Sequence, residues 1–206
     1  MAPRVKFTRE EFAEAGLSVV RKKGFSALTA QALAEELKSS TRPIFTCFGT
    51  MDELKAEVYA AAEAVYKGYE GVGLKQPVPF LGIGLQHIRF AKEDPELYRL
   101  LFLTPETGFG SAMTSMKHLQ DMIRESLMRI YKIDAKTADF YFRSLWLVVH
   151  SLATLIVTGD CSYSDDEIGQ ILTGFSVSIC KSIKEIPGFV DGTFDSDVIF
   201  RSLIGE

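Results

Sequence analysis

Cysteine is scarce in this 206-residue chain, and the three present, Cys47, Cys161 and Cys180, are widely spaced with no CxxC pair. That argues against a disulfide framework or a thiolate zinc site and suits a reducing compartment. Histidine is equally sparse: His87, His118 and His150 show no metal-ligand spacing. There is no HExxH, no GxSxG and no Walker lysine. Gly82 and Gly84 fall inside a helical pattern with no strand before them, so they are not a dinucleotide fingerprint. An enzyme is therefore not expected, and neither is a cofactor or metal. Long apolar runs are also missing. The longest, residues 145–157, is broken by His150 and Ser151 and falls short of the roughly 20 residues a membrane span needs. Residues 1–6 are polar and lead into a charged helix, which predicts no signal peptide and a cytoplasmic protein. No stretch shows sustained period-two alternation, so strands are not expected.

What is present is a globular composition, 47% hydrophobic and 24% charged, with a net charge of -4. The charge is uneven. Residues 1–55 hold nine Lys and Arg against seven Asp and Glu, whereas residues 56–206 hold fourteen against twenty. A slightly basic head sits on an acidic body.

Helical periodicity runs almost throughout. Thr8 and Glu11 form a capping box ahead of a stripe at Phe12, Ala15, Gly16, Val19 and Val20, and Gly24 is placed to stop that helix. Thr29 opens a second helix. The hydroxyls of Ser39, Ser40 and Thr41 are placed to cap a third, with Pro43 in its first turn and Gly49 ending it. Thr50 and Glu53 open a fourth, running to about Lys67, and the Gly and Pro of residues 68–79 read as a loop. Further helices are expected at about 80–93, 95–103, 111–131, 135–158 and 165–184. A loop with a terminal turn or helix closes the chain. The fold class is all-α.

Two short helices in tandem across residues 28–48 are, mechanically, a helix-turn-helix whose second helix would present its first residues to base edges. Arg42 suits guanine or a phosphate, and Thr41 and Thr46 suit bases or backbone. Thr29 and Ser40 suit phosphate oxygens. Capping hydroxyls and a solvated arginine would leave the same pattern.

The segments "KKGFSALTAQALAEEL" and "SSTRPIFTCFGTMDELKAEV" settle on one family. From Phe12 to Lys55 the chain resembles the N-terminal domain of TetR-family transcriptional repressors, matching at Gly24-Phe25, Thr29, Ala32-Leu33-Ala34, Ser40, Phe45, Phe48 and Glu53-Leu54. Three positions depart from the pattern: Lys38 stands where the turn commonly has Gly, Phe45 where Tyr is frequent, and Met51 where a basic residue is usual. The resemblance implies a three-helix DNA-binding domain with a helix-turn-helix over residues 1–49, a connecting helix over 50–67, and a helical ligand-binding and dimerisation bundle over 68–206. It implies contacts to double-stranded operator DNA through Thr29, Ser39, Ser40, Thr41, Arg42, Pro43, Phe45, Thr46, Phe48 and Lys55.

Past residue 66 two islands remain, "EDPELYRLLFL" (residues 93–103) and "LWLVVHSLATL" (145–155), the latter resembling a Trp-x-x-x-His-Gly element with Ser151 in place of the Gly. His87, Phe90, Phe102, Met113, Met116, Phe142, Trp146 and His150 are the candidates to line a cavity for a small, mainly apolar effector, and ordinary core would use the same residues. Leu152, Leu155, Ile168, Ile171, Phe175 and Ile179 lie on helices apolar on more than one side, and the resemblance implies a four-helix homodimer bundle there. The competing reading is a helical protein-interaction module without DNA binding.

Overall fold

The computed structural model describes residues 7–104 and 111–205. Among these residues it contains ten α-helices and no strand. Helix α1 (Arg9–Lys23) starts where the capping box places it: the Glu11 N–H donates to Thr8 Oγ1 at 3.2 Å and the Thr8 N–H to Glu11 Oε2 at 2.7 Å. It stops at Gly24, whose φ of 79° and ψ of 165° lie in a region that only glycine enters readily. A 3-10 turn leads to α2 (Ala30–Glu36), capped by Thr29 through the Ala32 N–H at 3.2 Å. Helix α3 (Arg42–Cys47) follows across a turn at Lys38, which takes the left-handed conformation at φ 49°. A side chain is thus held where glycine would sit without strain.

Helix α3 departs from expectation at its start, because Thr41 occupies the cap position in a helical conformation and makes no capping hydrogen bond. Helix α4 (Met51–Leu74) opens on Thr50 as expected, but it does not end near Lys67. It continues through Gly68, Gly71 and Gly73. The reason lies in α5 (Pro79–Glu93): a Cβ on Gly73 would lie 2.7 Å from the Ile83 Cα, and one on Gly82 would lie 2.3 Å from the Gly73 carbonyl oxygen. Those glycines are where two backbones touch rather than where a helix breaks. A similar approach seats α1 on α4, where a Cβ on Gly16 would meet Val58 Cγ2 at 2.3 Å.

Helix α6 (Pro95–Tyr98) runs into a π-helical turn at Arg99–Leu103. Then come α7 (Ala112–Tyr131), α8 (Ala135–Thr158), α9 (Asp165–Glu185) and α10 (Ser196–Ile204). The acidic opening of α9 complements the helix dipole, and Glu167 completes a capping box with Ser164. Helix α8 is long and apolar enough to cross a membrane by length and composition, yet its Tyr141, Phe142, Leu145, Trp146, Val149, Leu152 and Ala153 are buried inside the fold.

Buried side chains form two clusters. One is continuous from Phe12, Leu33 and Phe48 through α4, α5 and α6 to Val157 and Leu172, so packing carries on across the boundary expected at residues 49 and 50. The second joins Phe80, Leu119, Ile123, Tyr141, Phe142 and Trp146 at the far end of α5, α7 and α8. Arg21 ties α1 to the turn between α5 and α6 in a bidentate pair with Asp94, at 2.6 and 3.1 Å.

Candidate functional site

The outward side of α3 is the first candidate. Ile44 and Phe48 are buried and fix the helix on the core, which turns Arg42, Phe45 and Thr46 outward. Phe45 is 50% exposed, an unusual position for a large aromatic ring. Ser40 and Thr29 are exposed beside it, and Ser39, Thr41 and Pro43 are half-buried. Among the described residues, neither Arg42 nor Lys38 makes an ion pair, whereas nearby Lys22 is held by Glu36 at 2.6 Å. Two cations beside α3 are therefore uncommitted.

One expected contact does not survive. Phe48 cannot meet a nucleic acid: it is fully buried, edge-on to Phe12 at 5.7 Å and covered by the Arg9 guanidinium 4.4 Å above its ring. Its register on α3 points it inward with Ile44. The Thr46 hydroxyl donates to the Arg42 carbonyl at 3.0 Å and keeps its acceptor positions, while the Thr29 hydroxyl accepts from the Ala32 N–H and keeps its O–H to donate. Lys55 lies half-buried in a cleft with Lys23, Asp52, Glu96 and Arg99, between α1, α4 and α6.

Within the body, His87, Phe102, Trp146 and His150 come together. The His87 ring lies 4.6 Å from Trp146, 5.0 Å from Phe102 and 5.7 Å from His150. Its Nδ1 shares a 2.8 Å hydrogen bond with the Tyr66 hydroxyl, and His150 Nδ1 shares one of 3.0 Å with Tyr98. His87 Nε2 is buried without a partner. Burial, then the neighbouring His150, holds His87 well below its ordinary pKa, so the ring is neutral. Whichever nitrogen carries the proton, one polar position on Nε2 is left unsatisfied, which typically costs about 1–3 kcal/mol.

The other cavity candidates separate. Phe90 and Phe142 are fully buried in tight ring contacts, Phe90 against Tyr66 at 5.1 Å and Phe142 against Trp146 at 5.8 Å. Both are core. Met116 is buried in the second cluster, while Met113 is 63% exposed and does not line an interior cavity. Phe109, a further aromatic expected to contribute to the cavity, lies outside the described residues.

The cleft that reaches this cluster opens between α4 and the start of α7. It encloses about 280 Å³, and Tyr66 and Phe102 form the wall it shares with His87. Its remaining lining includes Tyr59, Glu63, Glu70 and His118. Glu70 is only 7% exposed. Burial, reinforced by Glu63 and partly offset by Lys67, pushes its pKa up to about 7. Residue-by-residue reading missed this stripe. Tyr59, Glu63, Tyr66 and Glu70 recur at helical spacing on one face of α4, but the glycines after Lys67 placed Glu70 in a loop.

On the outer side, Leu155 and Phe175 are exposed, together with Leu147 and Val177, and Ile171 and Ile179 are half-buried. Leu152 and Ile168 are corrections to the expected interface: both are buried within their own chain, because they face the core between α8 and α9. Helix α9 buries only Ile168 and Leu172 fully. Among the described residues no group of His, Cys, Asp or Glu is placed to hold a metal.

No family model matches the chain, and no curated protein matches it.

Proposed function

We propose that the protein is a homodimeric transcriptional regulator of the TetR type, a repressor that holds operator DNA through α3 and releases it when a small molecule occupies the body. The observation that carries this reading is the outward side of α3. Arg42, Phe45 and Thr46 point away from a core that Ile44 and Phe48 anchor, with Arg42 and Lys38 uncommitted. A helix so placed can enter a major groove, with Arg42 at its start against a guanine edge or phosphate.

The exposed apolar side chains Leu147 and Leu155 on α8 and Phe175 on α9 support pairing of two chains, which two linked half-sites require. Helix α4 supports the switch. It begins beside α3 and passes the cleft at Tyr59, Glu63, Tyr66 and Glu70, about 36 Å in all at 1.5 Å per residue. A ligand that displaces its middle changes where the α3 end rests. The Arg21–Asp94 pair and the packing of α1 on α6 make the joint responsive to the same movement. A coupling of roughly 1–3 kcal/mol would change DNA affinity about 5- to 150-fold.

The test is selection of duplexes from a randomised pool, followed by binding at several salt concentrations. The expected product is a two-fold symmetric sequence bound with a steep negative salt slope. Arg42→Ala should cost about 1–3 kcal/mol and relax discrimination at one position. Retention of no duplex at low salt overturns the DNA reading. It would favour the second reading, a protein-interaction module, for which the half-exposed ring of Phe45 is the supporting observation.

A further inference from the structure

The cleft between α4 and α7 has an unusual floor for an effector site. Among the described residues, Glu70 makes no hydrogen bond and no ion pair, although it is nine-tenths buried and lines the cleft. The residue is buried as a whole, but its carboxylate oxygens still reach solvent in the cleft, where water or a ligand must meet the charge. Among the described residues no side chain bonds to it. Lys67, one turn earlier, is exposed and forms no salt bridge with it, and the Tyr66 hydroxyl is engaged by His87.

The rest of the lining narrows what can. Tyr59, Tyr66 and Phe102 supply aromatic surface, and Leu101 adds an aliphatic side. Glu63, half-buried, stands nearer the cleft's rim one turn from Tyr66 and brings a second carboxylate. Aromatic faces attract cations, and they do so more strongly where water is excluded. Two carboxylates against the single lysine Lys67, with three aromatic rings around a cleft of about 280 Å³, make the lining net acidic and aromatic.

We infer that this cleft binds an organic cation with an apolar body, an amine or quaternary ammonium whose charge pairs with Glu70 while Tyr59, Tyr66 and Phe102 enclose the rest. The inference rests on the effector half of the proposed function and replaces a mainly apolar ligand with a charged one. Glu63 guides the cation inward, and Thr114 and Ser115 on α7 offer hydroxyls at the mouth. The ionised form of Glu70 is the one that binds. Its neighbours in the cleft act on it in known directions. Glu63 opposes ionisation and Lys67 favours it. His118 is the remaining imidazole in the lining. Affinity therefore rises with pH.

Isothermal titration of the full chain with 4-phenylbutyltrimethylammonium, 4-phenylbutanol and 4-phenylbutyrate tests this. The quaternary charge is fixed, so any pH effect belongs to the protein. The cation should bind at least about ten-fold more tightly than the other two near pH 8. It should weaken about ten-fold towards pH 6, as a carboxyl titrating near 7 loses its charge. Glu70→Gln keeps the shape and should lose both the preference and most of the pH dependence, whereas Glu57→Gln on the opposite side of α4 should change neither. Preference for the alcohol or the acid overturns the inference, as does a Glu70→Gln protein that binds the cation unchanged. The two readings fail separately. Duplex selection with no cation binding removes this site and leaves the regulator. Cation binding by a protein that retains no duplex does the reverse.

Discussion

Replacing Glu70 by Gln measures what the fold gives up to hold a carboxylate in the cleft. Burial moves the group from 4.5 to about 7 in the folded chain. At about 1.4 kcal/mol for each pKa unit, that displacement corresponds to roughly 3 kcal/mol. The folded chain keeps the proton over a pH range in which the unfolded chain has released it. Below about 4.5 both states are protonated and nothing is lost. Between 4.5 and about 7 wild-type stability falls as pH rises, and above 7 the full loss is present. Gln cannot ionise, so the variant should match wild type in acid and exceed it by roughly 3 kcal/mol near pH 8. For a chain of this size that is about 6–12 °C in melting temperature. His87 and His150, both held below the ordinary histidine value by burial, act oppositely. The unfolded chain takes up protons below about 6.5 that the folded chain refuses, so they destabilise the fold in acid. That effect is common to both proteins and cancels in their difference. Thermal melts followed by circular dichroism at paired pH values give the difference directly. A gap between variant and wild type that is the same at both ends of the range would show that the carboxylate is hydrated and that the cleft carries no stored cost.

Gly16→Ala should destabilise the protein by about 1–3 kcal/mol, because the added methyl would lie 2.3 Å from Val58 Cγ2 and Val58 is fully buried. Denaturant melts check it, and an unchanged midpoint would mean that α1 and α4 separate freely. Phe175→Arg should fold normally, since the ring is 49% exposed in a single chain, yet sediment as a monomer of 22.9 kDa where the wild type sediments at twice that mass. A wild type that is itself monomeric at micromolar concentration would remove the pairing of α8 and α9 from the account.

The helix starts were legible because their causes are local. Thr8, Thr29 and Thr50 each accept from a backbone N–H three residues on, a contact that needs no other part of the chain. The aromatic meeting of His87 with Trp146 was not, since the two lie on α5 and α8 and share no periodicity. Which apolar residues of α8 and α9 face inward was equally hidden. Leu152 and Leu155, or Ile168 and Phe175, look alike as residues, but the core between the helices takes only the first of each pair. The burial of Phe48 was hidden too, because Phe12 and Arg9, which cover it, come from α1.

The amino-acid order alone determined that the chain is helical, where most of its helices begin, and which residues of α3 stand near its start, because hydrogen bonds within one turn and a 3.6-residue period set all three. Only the tertiary structure decided that α4 runs on to Leu74 and that Glu70 lies buried on its cleft face. A glycine in sequence is equally a breaker or a site of close approach. What made Gly73 the second is the backbone of α5 at Gly82 and Ile83, brought there by packing that no local pattern encodes.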